Sequence, residues 1–405
     1  MRGERLPVRR PAPRPGVRRR AKSRAELAPV ATVGARAVDV VTRQAGLMRA
    51  NLAAAVDGRD PEGVHDMRVA SRRLRASLAV LETWLPEGDL GRVEPGLRAI
   101  TRALGAVREI DVNRALLARL RVRATPARSI AIEDVDARLA RRLRRARSRM
   151  LARFARVDLD RLDARLGRLA DHLRAATSAA PSTIAPDDRT GSPTTTPGVD
   201  LLADALASAG AAIEAAGPPE AGVSTRHPEA PIAELLREAG VRAEAAAAAI
   251  VSHPVPAAVG TPEAHEAIHR VRIATKKLRY LVEILAPELG ESGGALVKRL
   301  RRLQDHLGEF HDDVVLDAEF ADAIRRAANR GRRLLAAELR RLRRARQRAL
   351  LRQEQAVRDA LVELRERDFA AEIRRGFEAA LDACLASAAA ADAAAAPGPE
   401  EPGPA

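Results

Sequence analysis

The chain has 405 residues, with 70 Lys and Arg against 54 Asp and Glu, a formal net charge of +16. The length fits two or three domains, and so basic a balance points to polyanionic partners: nucleic acid, anionic lipid or polyphosphate. Aromatics at 2% and a single cysteine, Cys384, argue against single-strand recognition by base stacking, a disulfide framework and a multi-cysteine metal centre.

Met1–Ala31 is rich in Arg and Pro and has no apolar core, so it reads as a disordered basic tail and not as a secretory signal. Helical spacing of apolar residues begins at Thr32 and runs to Val56. A second helix is predicted over Pro61–Leu85. It is announced by Asp60-Pro61-Glu62, which supplies an N-cap, a proline at the first helical position and an acid in the first turn. A third helix covers Asp89–Arg121, and a fourth, long and arginine-laced, covers Ile130–Ala176. Ser178–Pro231 is broken by Pro, Ser, Thr and Gly and reads as a flexible insert, with one short helix over Leu201–Ala216. The scheme then repeats: Ile232–Val251, Pro262–Leu285, Gly293–Asn329 and Arg332–Ser387, followed by an Ala/Pro/Gly/Glu tail, Ala388–Ala405. No stretch alternates like a strand, so the expected fold is all-α, with two antiparallel four-helix bundles over Thr32–Thr177 and Ile232–Ser387. No run of about 18 apolar residues is present, so no membrane span is expected and the reading is a soluble cytoplasmic protein.

The two halves carry one repeated stretch. Val64–Arg75 reads VHDMRVASRRLR and Ile268–Arg279 reads IHRVRIATKKLR. The copies align without a gap; of the paired positions only Asp66 against Arg270 changes in character. Such a repeat marks an internal duplication, which a pseudo-twofold axis would relate. At about 100° per residue, His65, Arg68, Arg72 and Arg75 share one narrow face of a helix. Met67, Ala70, Leu74, Leu78 and Leu81 lie opposite. The second copy puts His269, Arg272, Lys276 and Arg279 on the basic face and Val271, Leu278, Val282 and Leu285 on the apolar one. Arg73 and Lys277 flank the stripes. Only four of the 70 basic residues are lysines, and two of them, Lys276 and Lys277, fall at matched positions of this repeat.

A second echo pairs Leu104–Val112, LGAVREIDV, with Leu307–Val315, LGEFHDDVV. Gly105 and Gly308 each cost about 1 kcal/mol against Ala inside a helix, which suggests a close helix crossing or a kink. The acids Glu109, Asp111, Asp312 and Asp313 are placed to pair with the basic stripes.

H-x-M-R-V-A-x-R-R-L-R followed by L-G-x-V-R-E-x-D-V, then H-R-x-R-I-A-x-K-K-L-R-Y and L-Q-D-x-L-G, resembles the conserved histidine α-helical domain, the CHAD family. The resemblance covers Thr32–Ser387 apart from the insert. It implies two four-helix bundles about a pseudo-twofold axis, with basic side chains of both repeats lining a groove that binds inorganic polyphosphate. It implies no catalysis, and the chain resembles a member without a preceding triphosphate-tunnel domain. Position by position it implies a polyphosphate site of His65, Arg68, Arg72, Arg73, Arg75, His269, Arg272, Lys276, Lys277 and Arg279. Arg98, Arg102 and Arg301 in the third helices and Arg108 after the glycine are added, although His311 stands opposite Arg108. The expected setting is the cytoplasm, at polyphosphate granules.

Rival readings exist at the level of the residues. His65 and His269 are candidate metal ligands, but only His265 with His269 has the i, i+4 spacing of a ligand pair. The charge would also suit nucleic acid, yet no helix-turn-helix, aromatic platform or glycine-rich loop accompanies it. A phosphohistidine or polyphosphate-processing enzyme using His65 would need an orienting carboxylate, and Asp66 faces about 100° away on the helix. No cofactor, metal or catalytic residue is expected.

Overall fold

The structure is a computed structural model that describes residues 30–85, 88–178 and 227–395. Among the described residues ten α-helices are present and no strand, as the periodicity predicts. Those of the first half are α1 (Val33–Asp57), α2 (Pro61–Val80), α3 (Asp89–Arg121), α4 (Pro126–Val157) and α5 (Leu159–Ser178). The second half holds α6 (Ile232–Ser252), α7 (Pro262–Leu285), α8 (Gly290–Asn329), α9 (Arg333–Glu366) and α10 (Phe369–Ala395). The predicted helix Leu201–Ala216, most of the insert and the first and last residues lie outside the described residues.

The predicted starts hold. The Asp60 carboxylate accepts from Glu62 N at 2.9 Å, and the Thr261 hydroxyl from Ala264 N at 3.2 Å, so α2 and α7 open on matched caps with proline in the first turn. Other boundaries differ from the sequence reading, and the fourth helix starts at Pro126 instead of Ile130. Helix α2 stops at Val80 instead of Leu85, because a 3₁₀ turn over Glu82–Trp84 tightens the chain and buries Trp84. The C-terminal helix runs past Ser387 to Ala395. The fourth helix of each half is two helices, broken at Asp158 (φ 55°) and Asp368 (φ 47°). Each aspartate takes the left-handed conformation that a short polar side chain tolerates, and each caps the helix that follows: Asp158 Oδ1 accepts from Arg161 N at 3.0 Å, Asp368 Oδ1 from Ala371 N at 3.3 Å.

The order of packing is the same in both halves. α1 lies on α2, α2 on α3, α3 on α4, and α5 returns to α1; α6 lies on α7, α7 on α8, α8 on α9, and α10 returns to α6. The apolar faces read from the repeat form the core: Met67, Leu74, Leu78 and Leu81 in α2 and just beyond it, and Val271, Leu278, Val282 and Leu285 in α7, are all buried.

The halves meet along α2 with α7, α4 with α9, and α8 with α3 and α4. Arg138 of α4 bonds Asp322 at 2.7 Å and Glu319 at 3.0 Å on α8, and Arg332 reaches Asp134 at 2.8 Å. The two halves also start from one point. Val33 N donates to Ala230 O at 3.0 Å and Ile232 N to Ala31 O at 2.9 Å, a single antiparallel bridge beneath the first turns of α1 and α6. Beside it the fully buried Arg36 of α1 pairs with Glu288 at the α7–α8 corner. This arrangement sets α2 and α7 side by side with their polar faces toward each other. No helix among the described residues is long and apolar enough to cross a membrane.

Candidate anion-binding groove

Each repeat helix spends one face on its own core, so its basic row can only point outward or toward the other half. It points toward the other half. Arg72 of α2 lies over the ring of Tyr280 of α7, 5.5 Å from its centroid, and Arg279 covers the same ring at 4.8 Å. Arg73 reaches across to Glu283 at 3.5 Å. The charges feel one another: Arg68 is held down to about 10 by burial, then by Arg72, with Arg272 and Arg108 adding to the effect against Tyr280. Lys276 is pushed from 10.5 to about 7 by burial, then by Arg72, Arg272 and Arg68. Arg272 is lowered by burial, with Asp312 opposing and Arg72 adding. Among the described residues no carboxylate lies within ion-pair distance of Arg68, Arg72, Arg272 or Lys276. Nε of all three arginines is buried without a hydrogen-bond partner. Concentrating like charge in a half-buried place costs folding energy, so these four groups are poised for an anion that supplies the missing partners.

Beside them opens a cavity of about 670 Å³. It is lined by Arg68, Gly105 and Arg272, by Arg75, Arg98, Arg102 and Arg108, and by the acids Glu109 and Asp312. A Cβ at Gly105 would stand 3.5 Å from Arg68 Nε, an ordinary contact, so no neighbouring backbone crowds this glycine. Of the two expected explanations, a close helix crossing is absent at Gly105, and Gly308 meets nothing within 4 Å.

The other sequence-predicted residues divide into three groups. Some are already neutralised: Arg75 bonds Glu94 at 3.0 Å with Arg98 beside it at 3.3 Å, while Arg279 and Arg301 share Glu283 at 2.9 and 2.8 Å. Arg279 is 8% exposed, so it belongs to the core edge and not to the open stripe on which the helical angle places it. Arg102 and Arg108 line the cavity, Arg108 within 3.5 Å of Glu62. Lys277 is exposed and outside the cavity.

The histidines form the third group. His65 has Nδ1 buried without a partner and a pKa lowered by burial and then by Arg108, against Glu62 and Asp66. His269 stacks on His311 with centroids 5.2 Å apart. Burial, then Arg272, lowers His269, and the same two causes hold His311 down to about 4, so both rings are neutral at pH 7. His265 turns instead to Phe310, 5.2 Å away, and to Glu354 at 3.7 Å, so the HxxxH pair does not converge on one point. Ligand atoms of Glu62, His65 and Asp66 lie within 4.8 Å of one another, a grouping the histidine spacing does not suggest.

Of the acids assigned to the stripes, Asp312 faces Arg272 and Glu109 lines the cavity, but Asp313 pairs with Arg346 of α9. Sequence reasoning missed Tyr280, Glu283 and Glu94. Both acids had a visible signal, Glu283 one turn after Arg279 and Glu94 one turn before Arg98; what had none were their bonds to Arg301 and Arg75 on neighbouring helices.

An all-α protein in which two helices of matching sequence bring arginines and a lysine without ion-pair partners to a shared groove presents a concentrated positive surface there. The chain matches the CHAD domain over residues 39–321, more than half its length, and belongs to that family. The crystal structure of the CHAD domain from the plant Ricinus communis superposes with a TM-score of 0.53 at 19% identity, over 83% of this chain and 93% of that one. PptA from Streptomyces chartreusis aligns over 83% of this chain and 99% of its own at 18% identity, with a TM-score of 0.42. No curated protein matches the chain.

Proposed function

We propose that the protein binds inorganic polyphosphate in the groove between α2 and α7, by charge and shape, without making or breaking a bond. One observation carries the reading: Arg68 and Arg72 from one repeat and Arg272 and Lys276 from the other act on one another electrostatically, with no carboxylate of the described residues within ion-pair distance and only Asp312 opposing, at Arg272. Arginine forks fit phosphate oxygens in pairs, and a lysine adds a point charge. The duplicated halves would supply one row each across a pseudo-twofold axis. Binding without chemistry is favoured by the histidines. His65 Nδ1 has no hydrogen-bond partner, and the His269 ring faces another histidine, so neither is set up by a carboxylate as a nucleophile. A place at polyphosphate granules follows from such an affinity.

The test is a titration of the purified protein with long-chain polyphosphate, with duplex DNA and heparin as competitors, over a range of salt. Affinity should fall steeply with salt, by about 0.7–0.9 in log–log slope for each phosphate neutralised, by analogy with nucleic acids. Replacing Arg68, Arg72, Arg272 and Lys276 together by Ala should abolish binding and leave helicity intact, since none belongs to the core. A quadruple variant that binds like the parent refutes the site, and release of orthophosphate during the titration refutes binding without chemistry.

A further inference from the structure

The groove is not equally basic on its two sides. Five arginines of the first half line the cavity, Arg68, Arg75, Arg98, Arg102 and Arg108, two of them held by Glu94, against one from the second, Arg272; each half also adds one acid, Glu109 and Asp312. Aligning α3 with α8 through their glycines, Gly105 on Gly308, shows why. Arg98 meets Arg301 in that alignment, Arg102 meets Asp305, and Arg108 meets His311. The first pair is alike in sequence and in having an acid partner, Arg98 with Glu94 and Arg301 with Glu283, but only Arg98 lines the cavity. The second pair differs by two charges, a cation replaced by an anion. The third differs by one, since the ring of His311 is neutral at pH 7. At these three positions α8 is therefore three charges less positive than α3, and of its three residues only His311 lines the cavity. From Arg98 to Arg108 the α3 wall extends about 15 Å along the helix axis, longer than any single phosphate group.

We infer that the groove is one-sided: a linear polyphosphate is held at its base by both repeat helices but continues along α3 alone, over Arg98, Arg102 and Arg108, and Asp305 turns it away from α8. This rests on the polyphosphate reading and adds a track and a direction to it. An even grip by both halves would give the second wall the same weight. On a one-sided track, a chain long enough to leave the base should gain affinity from α3 arginines that a triphosphate cannot reach.

Single variants separate the two pictures, because Arg102 and Asp305 are both exposed and their replacement leaves the core untouched. Binding of long-chain polyphosphate and of triphosphate is measured for R102A, R108A, R301A and D305R, with circular dichroism and melting as controls for folding. R102A and R108A should each weaken long-chain binding by about tenfold and lower its salt slope by about 0.7–0.9, and R102A should cost the long chain several times more affinity than it costs triphosphate. R301A should cost less than about threefold, and D305R should tighten the long chain by about threefold or more by opening the second wall. Equal losses from R301A and R102A, or no gain from D305R, overturn the one-sided track while leaving the polyphosphate site standing. A parent protein that binds no polyphosphate overturns the reading itself and the track with it.

Discussion

Lys276 is the residue on which the groove's charge turns. Its pKa falls from 10.5 to about 7 through burial and three neighbouring arginines. The unfolded chain holds that proton more tightly, so the stability of the free protein should rise as pH goes from about 7 to 10.5, with the cost fully present below 7. Binding has the opposite sense. A polyanion favours the charged amine, so affinity should fall as pH rises above about 7, and complex formation there should take up a proton. Calorimetry in buffers of different ionisation enthalpy measures that uptake; Lys276→Met should abolish it, and an uptake that survives the change would place the titrating group elsewhere. A contrast is expected at Arg279, which sits on a basic stripe by sequence but is buried against Tyr280 and Glu283. Arg279→Ala should lower stability by about 2 kcal/mol, whereas Arg272→Ala, which relieves repulsion, should leave the melting temperature unchanged or raise it. Helical angle alone made these two arginines look equivalent. It reports a direction from one axis, and the depth of a neighbour's packing is invisible to it. The basic rows and their sides were legible because period and charge lie within one helix; the bond of Arg75 to Glu94 was not, because tertiary packing supplies it.

At the scale of the element, starts were easier to read than stops. Asp60 and Thr261 announced α2 and α7 through side chains next to the backbone they cap, and both caps are present. The breaks at Asp158 and Asp368 were hidden, since leucine spacing continues on both sides and neither proline nor glycine interrupts it. An aspartate does two things there, tolerating positive φ and accepting from the next helix. The two roles can be separated. Asp368→Ala loses both and should cost about 1 kcal/mol or more, while Asp368→Gly keeps the backbone freedom and should cost only a few tenths. Equal losses by thermal denaturation would mean that the cap alone matters. The early end of α2 had no signal of its own. Leu81 continues the apolar face, and what stops the helix is the burial of Trp84, decided by the surrounding core.

For the molecule as a whole, the all-α class and the likeness between halves were written in the repeat, but the contacts that join the halves were not, because they link residues nearly 200 positions apart with no local pattern. Arg138 is the plainest of these, lying between Glu319 and Asp322. Arg138→Ala leaves Glu319 half-buried with only Arg142 and should cost about 2 kcal/mol. The pairing of Ala31 and Val33 with Ala230 and Ile232 has a further consequence. It staples the origin of the first half to the origin of the second, beside the buried Arg36–Glu288 pair. Neither half can melt without stripping backbone partners from the first turn of the other. Two like halves joined end to end would ordinarily be free to denature one after the other; stapled in this way they should come apart as one cooperative unit, in a single calorimetric transition whose van't Hoff and calorimetric enthalpies agree.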